Sequence, residues 1–299
     1  MVSITTTSIG PRKSAPAPLK GDPLVPRMLL GKRLRELRLD HGVTPDEAAH
    51  AVGASRSKIT RMELGRIGLR SADVAALLTR YGVHDHGERS TLLALAEQTG
   101  ARAWWYELRD VVPKWKQRYL SAEGAARLVR CFEDEHVPEL LRTEAYALGV
   151  MRGDGAVLDP ARRLDLLGQR QPILRRRPRP VNLWAVLDES VLWRTVGDAA
   201  TMRAQLEHLN EICWRPNVTI QIAPINICGR VATDSPLTLV RFPQQHLSDL
   251  VYLERSGGAD YPARRAEIEH HWHVFNTLVT EAAPPEMTPL YIERALGEY

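Results

Sequence analysis

The sequence predicts two folded parts: an all-α head of five short helices, followed by an α+β domain with a small sheet. From residue 27 to residue 99, short segments with apolar residues at helical spacing are separated by glycine and turn residues. After residue 102, strand-like segments alternate with helical ones, and all seven tryptophans lie there. A chain of 299 residues is long enough to form two such cores.

Composition sets the boundaries of these parts. Residues 1–26 are rich in Ser, Thr and Pro and have no apolar periodicity, which predicts a disordered arm. We expect the head at 27–99, the α+β domain at 102–283 and a C-terminal tail at 284–299.

Charge and cysteine usage narrow the class of protein. The net charge of +4 permits nucleic acid as a partner without proving it. Cys131, Cys213 and Cys228 are too few and too scattered for a disulfide framework, which indicates a reducing compartment. No apolar run approaches the ~18 residues of a membrane span, and the N-terminus has no signal pattern. We therefore expect a cytoplasmic protein.

The helices of the head are delimited by capping and turn residues. Thr44-Pro45-Asp46-Glu47 forms a capping box with proline at the first helical position, so a second helix starts there. That helix ends at Gly53, and Ser55 is a good N-cap for a third. The fourth and fifth helices are expected from about residue 71 and about residue 87.

The second and third helices fit a helix-turn-helix by residue size. Ala49 is small where the two helices cross, and Gly53 lies at the turn, where a positive φ is commonly required. Ile59 and Met62 point inward at i, i+3 spacing. The surface that remains free to enter a major groove carries Arg56, Ser57, Thr60 and Arg61.

This basic helix has two interpretations. A basic run alone favours a surface helix with solvated arginines. However, PDEAAHAVGASRSKITRMELGR combines a capping box with small, glycine and aliphatic residues at four fixed spacings. That combination rarely arises by chance, so we interpret the third helix as a DNA-reading helix.

The segment LGKRLRELRLDHGVTPDEAAHAVGASRSKITRMELGR resembles the XRE family of helix-turn-helix regulators, relatives of the phage repressors, over about residues 29–82. The resemblance implies that Arg56, Ser57 and Arg61 reach base edges. It also implies that Ser55, Lys58, Thr60 and Arg66 face phosphates, and that Arg38 and Glu63 pair to tie the first helix to the recognition helix.

One position departs from the family pattern. The family usually has glutamine where this chain has Pro45, and that glutamine touches a phosphate. Proline has no such side chain, so this phosphate anchor is in doubt.

The second half also resembles a known family. WAVLDESVLWRTVGDAATMRAQLEHLNEICWRPNVTIQIAPI, SPLTLVRFP and DLVYLE are similar to blocks of an uncharacterised domain that streptomycetes and other actinobacteria fuse to XRE heads. The similarity covers about residues 104–280. Its members include WhiJ-like developmental regulators, often encoded beside a small partner protein and described as antitoxin-like. The resemblance implies regulation and a partner, not a reaction.

We find no catalytic, metal or cofactor site in the sequence of this half. His270, His271 and His273 do not have the i, i+4 spacing of a helical metal motif, and a polar helix face is favoured. Asp188 and Glu189 follow a strand, where an enzyme would place catalytic carboxylates. Capping of a helix that starts at residue 190 is the favoured interpretation.

The sequence therefore predicts a transcriptional regulator that binds a double-stranded DNA operator as a homodimer and whose C-terminal domain senses a ligand or partner protein. One alternative is an antitoxin-like protein that sequesters a small partner and binds DNA to regulate itself. The other is an enzyme that acts on a nucleotide or small metabolite through its C-terminal domain.

Overall fold

The computed structural model describes residues 22–153, 159–225 and 236–299. The N-terminal part holds five helices, which are α1 (Leu24–Asp40), α2 (Pro45–Ala51), α3 (Arg56–Glu63), α4 (Ser71–Arg80) and α5 (His86–Gln98). The helices described in the C-terminal part are α6 (Gln117–Ala125), α7 (Glu144–Gly153), α8 (Pro160–Arg170), α9 (Ser190–Trp193), α10 (Ala199–Ile212), α11 (Arg265–Glu281) and α12 (Thr288–Leu296). Its described strands are β1 (Leu128–Glu133), β2 (Asn182–Asp188), β3 (Val218–Ala223), β4 (Leu237–Arg241), β5 (Leu250–Arg255) and β6 (Gly258–Asp260).

The six described strands form one mixed sheet in the order β3-β2-β1-β4-β5-β6. β3, β2 and β1 are parallel, whereas β4, β5 and β6 continue the sheet antiparallel. Alternate side chains of a strand point to opposite faces. On β1, Val129 and Cys131 belong to the larger core, and Phe132 belongs to a second core that also contains Phe275 of α11. Helices therefore cover both faces of the sheet.

Helix α1 belongs to both parts of the molecule. Its middle packs in the core of the head through Leu30, Leu34 and Leu37, while Leu24 at its start lies in the core of the C-terminal domain. Asp22 accepts hydrogen bonds from the backbone N–H of Leu24 and, at 2.8 Å, from the hydroxyl of Ser121 on α6. The head is thus joined to the C-terminal domain by packing as well as by the connecting chain.

The structure confirms a helical head followed by an α+β domain, and it corrects two boundaries. The expected arm at 1–26 reaches too far, because residues 24–26 form the first turn of α1 around the buried Leu24. Residues 1–21 lie outside the described residues.

The expected tail at 284–299 is instead part of the C-terminal domain. It contains α12, whose Ile292 and Ala295 are fully buried. The hydroxyl of Thr288 donates a 2.6 Å hydrogen bond to the carbonyl of Ile220 on the edge strand β3. This segment covers the sheet edge, which would otherwise expose unpaired backbone groups.

The strand expectations were right for four segments and missed two. The strand-like segments correspond to β2, β3, β4 and β5. β1 was missed because residues 123–129 have a helical pattern, yet the helix ends at Ala125 and the chain continues as a strand buried on both faces. β6, with three residues, is too short to give a pattern.

Gly31 sets the distance between α1 and α3. A Cβ atom at this position would lie 2.3 Å from the carbonyl oxygen of Met62 and 2.8 Å from that of Glu63. Gly31→Ala should therefore push the two helices apart and cost about 1–3 kcal/mol of stability. Urea unfolding and hydrogen exchange of α3 amides in the full chain measure the effect. Gly168→Ala on α8, where a Cβ meets nothing within 4 Å, is the matched control and should not destabilise. Equal stability of the two variants would contradict this packing.

Candidate nucleic-acid interface

The α2–α3 turn has the geometry that the sequence predicts. Gly53 has a φ of +58°, a conformation that glycine adopts without strain. The backbone N–H of Ala54 donates to the carbonyl of Ala49 at 2.9 Å, and Ala49 is 5% exposed at the helix crossing. Thr44 and Glu47 form the expected capping box, and Pro45 occupies the start of α2. The structure confirms a helix-turn-helix.

One face of α3 is buried and the other is open to solvent. Ile59 and Met62 are each 1% exposed. The hydroxyl of Ser55 accepts a 3.2 Å hydrogen bond from the backbone N–H of Lys58, which caps the helix start as expected. Six of the side chains that we expect to reach DNA are exposed: Ser55, Arg56, Ser57, Thr60, Arg61 and Arg66. This face combines donors and positive charge, the chemistry that binds phosphates and guanine edges.

The Arg38–Glu63 pair is present and buried. Two parallel hydrogen bonds join the guanidinium to the carboxylate, Nε to Oε1 at 2.6 Å and Nη2 to Oε2 at 3.0 Å. The third nitrogen, Nη1, donates to the carbonyl of Val43 at 2.9 Å. The side chains are 7% and 9% exposed, and the hydrogen bonds to Glu63 raise the pKa of Arg38. The pair ties α1 to the end of α3.

Lys58 differs from the other predicted contact residues. It is half-buried, and its ammonium group lies 3.1 Å from a carboxylate oxygen of Asp73 on α4. Arg70 also donates to Asp73, at 3.1 Å. The structure therefore places Lys58 in an ion pair inside the head. Asp73 therefore competes with a phosphate for this ammonium group.

Arg56 also has an acidic neighbour, but a weak one. Its guanidinium lies 3.5 Å from the carboxylate of Asp46, and the two side chains are 68% and 67% exposed. Pairs this exposed contribute little to stability, so Arg56 can leave Asp46 for a base edge at small cost.

Sequence reasoning missed two basic residues beside the interface. Arg70, four residues after Arg66, is exposed and donates a hydrogen bond to Asp73. Arg118 lies on α6 in the C-terminal domain, with its guanidinium 5.4 Å from the ring centre of Tyr261. Burial lowers the pKa of Arg118, and the nearby charge of Arg66 lowers it further. No local pattern could have found Arg118, because folding alone brings it close to the head.

The structure also describes the residues that were considered as catalytic or metal-binding candidates in the C-terminal domain. The carboxylate of Asp188 accepts a 2.8 Å hydrogen bond from the backbone N–H of Ser190, the first residue of α9, while the N-cap residue Glu189 makes no side-chain capping bond. Among the described residues, no group of three or more His, Cys, Asp or Glu side chains could hold a metal ion. Cys228 lies outside the described residues. In the same part of the chain, no helix is long and apolar enough to cross a membrane.

Comparison with known protein families agrees with this architecture. Residues 29–92 match the model of a helix-turn-helix domain, so the N-terminal part is an XRE-like DNA-binding head. Residues 116–294 match the model of a domain of unknown function, DUF5753. Since this match covers more than half of the chain, the protein belongs to the DUF5753 family, with a helix-turn-helix head at its N-terminus. No curated protein and no solved structure matches significantly.

The buried pair predicts a large difference between two arginines of the head. Arg38→Ala leaves the Glu63 carboxylate buried without a partner, which should cost about 3–5 kcal/mol. Arg80 makes a similar 2.7 Å ion pair with Glu47, but there the side chains are 42% and 47% exposed. Arg80→Ala should therefore have only a small effect. Urea unfolding of both full-length variants measures this. Equal losses would show that Arg38 and Glu63 do not brace α3.

Proposed function

We propose that this protein is a sequence-specific transcriptional regulator whose helix α3 reads operator DNA in the major groove. The observation that carries the proposal is the contrast between the two faces of α3. Buried contacts of Ile59, Met62 and Glu63 fix the helix, while Arg56, Ser57 and Arg61 project from it. Because the scaffold is rigid, these side chains meet the DNA in a fixed register.

Each exposed side chain has a role in this proposal. The guanidinium groups of Arg56 and Arg61 suit the O6 and N7 acceptors of guanine, and Ser57 donates to a neighbouring base. Ser55, Thr60, Arg66 and, after it leaves Asp73, Lys58 contact phosphates. The N-terminus of α3 adds its own positive dipole beside Ser55.

The C-terminal domain has the role of a regulator in our proposal. Helix α1 contacts α3 at Gly31 and the C-terminal domain at Leu24. A ligand or partner that shifts α6 would therefore move the helix on which α3 rests. Coupling of this kind is reciprocal, so operator DNA would change the affinity for the effector by the same factor. The proposal assigns binding, and no reaction, to this domain.

We further propose that the protein binds its operator as a homodimer. A single head presents one recognition helix, and heads of this type pair over half-sites about one DNA turn apart. Large apolar side chains that are exposed in the described part of the C-terminal domain are Trp214, Ile225, Met287 and Leu290. Burial of such side chains against a second copy would stabilise the pair.

A second candidate function uses the same apolar surface. The exposed Trp214, at 75%, could bury against a small partner protein encoded nearby, as an antitoxin-like protein would require. DNA binding would then serve autoregulation.

The two candidates predict different assemblies. Sedimentation of the purified full chain should show a dimer in the first case, and Trp214→Gln should weaken it. A monomer that copurifies with a small protein, and loses it in Trp214→Gln, would instead favour the antitoxin-like function.

The central proposal predicts separable effects of basic residues. On DNA selected from a random pool, Arg56→Ala and Arg61→Ala should each cost about 1–3 kcal/mol and relax the preference for a base. Arg265→Ala on α11 removes an arginine whose side chain is 92% exposed and serves as the control for charge. Titration of each variant with the selected and scrambled sequences measures both effects. If neither α3 variant alters affinity or preference, α3 does not read the bases.

The Lys58–Asp73 pair gives a second prediction. Lys58→Ala should weaken binding to all sequences alike and lower the slope of log affinity against log salt by about one. Asp73→Asn removes the carboxylate that competes with phosphate for Lys58, and should strengthen binding to all sequences. Salt titrations of the two variants test this. An unchanged slope in Lys58→Ala would mean that Lys58 stays on Asp73 in the complex.

A further inference from the structure

A cleft of about 1020 Å³ opens in the C-terminal domain. It lies between one face of the sheet, helices α7 and α8, and the segment from Val111 to Tyr119. A space of this size accommodates a small organic ligand. It is remote in sequence from the helix-turn-helix, and the function proposed above assigns nothing to it.

Strand register defines the floor of the cleft. Cys131 of β1 is paired with Thr238 of β4, which in turn is paired with Tyr252 of β5. Glu133 lies two residues after Cys131 on β1, and Glu254 lies two residues after Tyr252 on β5. Both side chains therefore point to the same face of the sheet as Cys131 and Tyr252. The floor is therefore apolar and aromatic at its middle and acidic at one end.

Apolar side chains form part of the cleft wall. Side chains from four separate segments approach the floor: Trp115, Leu140, Val150, Met151, Leu166 and Leu167. Apolar side chains beside placed charged groups are typical of sites that orient a small molecule.

Charged groups at the acidic end form a connected cluster. Arg170 makes two 2.8 Å hydrogen bonds to Glu123 and also binds Glu139. The ammonium group of Lys116 lies 3.0 Å from Glu139 and 3.8 Å from Glu254. These three carboxylates therefore share two cations.

Glu133 remains apart from these pairs. Within the described part of the chain it has no hydrogen bond and no ion pair, although its carboxylate faces the cleft. Arg142 is close enough to act on its charge, but Arg142 donates its own Nε–H to the carbonyl of Val137 at 2.6 Å. Of these four carboxylates, Glu133 is the one for which the described residues supply no ion-pair partner.

The surroundings of Glu133 oppose its ionisation. Burial raises the pKa of Glu133 to about 8, and Glu254 and Glu139 add to the rise, while Arg142 and Lys116 oppose it. A carboxyl group held in this way reduces stability at neutral pH. Such groups are concentrated at functional sites.

We propose that this cleft binds a small organic monocation, whose ammonium or amidinium group pairs with Glu133 and whose apolar body lies between Tyr252 and Leu166. The cation supplies the ion-pair partner that Glu133 does not have among the described residues. The apolar body replaces water on Cys131, Trp115 and Leu167, from which the hydrophobic effect contributes affinity.

The cleft is also connected to the head. Its wall includes Tyr119 of α6, and two residues further along the same helix Ser121 bonds to Asp22 at the start of α1. A bound cation would change operator affinity through α6 and α1. This regulatory effect rests on the proposed function. Ligand binding itself can be measured in the absence of DNA.

The test compares three ligands of nearly equal shape and different charge: benzamidine, benzamide and benzoate. Calorimetric titration of the full chain without DNA should show benzamidine binding at least about tenfold more tightly than the other two. Glu133→Gln keeps the side-chain volume and removes the charge, so it should abolish this preference. Glu144→Gln, an exposed carboxylate on α7 that does not line the cleft, should leave it intact. No benzamidine binding, equal binding of the three ligands, or a preference that survives Glu133→Gln would each overturn the proposal.

The same titration at different pH gives an independent readout. With a pKa of about 8, Glu133 is largely protonated at about pH 6.5 and ionised at about pH 9, while benzamidine stays cationic. Affinity should therefore rise with pH and then level off. Other charged groups facing the cleft are Lys116, Asp134, Glu135, His136, Glu139, Arg142, Arg163, Arg170, Glu254 and Arg255. Glu133→Gln retains all of them, so a rise that persists in this variant would contradict the role of Glu133.

Operator titration with and without benzamidine separates the two proposals. Benzamidine that binds in a manner dependent on Glu133 and changes operator affinity supports both. If it binds in this manner but leaves operator affinity unchanged, the ligand site stands and its regulatory role fails. If operator reading by α3 fails in the arginine variants, the binding titrations still decide the ligand site.

Discussion

The close approach of α1 to α3 fixes the orientation of the recognition helix. At Gly31 the two helices are so near that a single added methyl group would meet the α3 backbone. The buried Arg38–Glu63 pair then ties α1 to the end of α3. Because α1 begins in the core of the C-terminal domain, at Leu24, the reading surface rests on both cores. The molecule is therefore not a head on a flexible connection, and a change in one core can reach the other through a single helix.

Charges are used in two different ways in the two parts. In the head, two hydrogen bonds join the buried Arg38 and Glu63, and this pair holds the helix that carries Arg56 and Arg61. In the C-terminal domain, Glu133 lines a cleft of apolar and charged side chains and has no ion-pair partner among the described residues. A satisfied pair orients a neighbouring surface, whereas an unsatisfied carboxylate lowers stability and is available for a ligand. The first arrangement is consistent with the DNA reading we propose for α3, and the second with the ligand binding we propose for the cleft.

The sequence was sufficient for the head and insufficient for the cleft. Capping box, Gly53 and the inward Ile59 and Met62 are local signals, so the helix-turn-helix and its exposed face could be predicted. The Lys58–Asp73 pair could not, because it depends on how α4 packs against α3. In the other half, the pattern of residues 123–129 concealed β1. Without β1 the cleft could not be predicted, because the register of β1, β4 and β5 brings Glu133 and Glu254 to one face of the sheet.

The claim that α3 enters the major groove is tested most directly by site-specific photocrosslinking. A photoreactive side chain in place of Ser57, on the exposed face of α3, is compared with one in place of Thr91, exposed on α5. With DNA selected from a random pool by the full chain, the account predicts crosslinks from position 57 to bases within each half-site, about one turn apart, and none from position 91. Base crosslinks from position 91 without any from position 57 would contradict it.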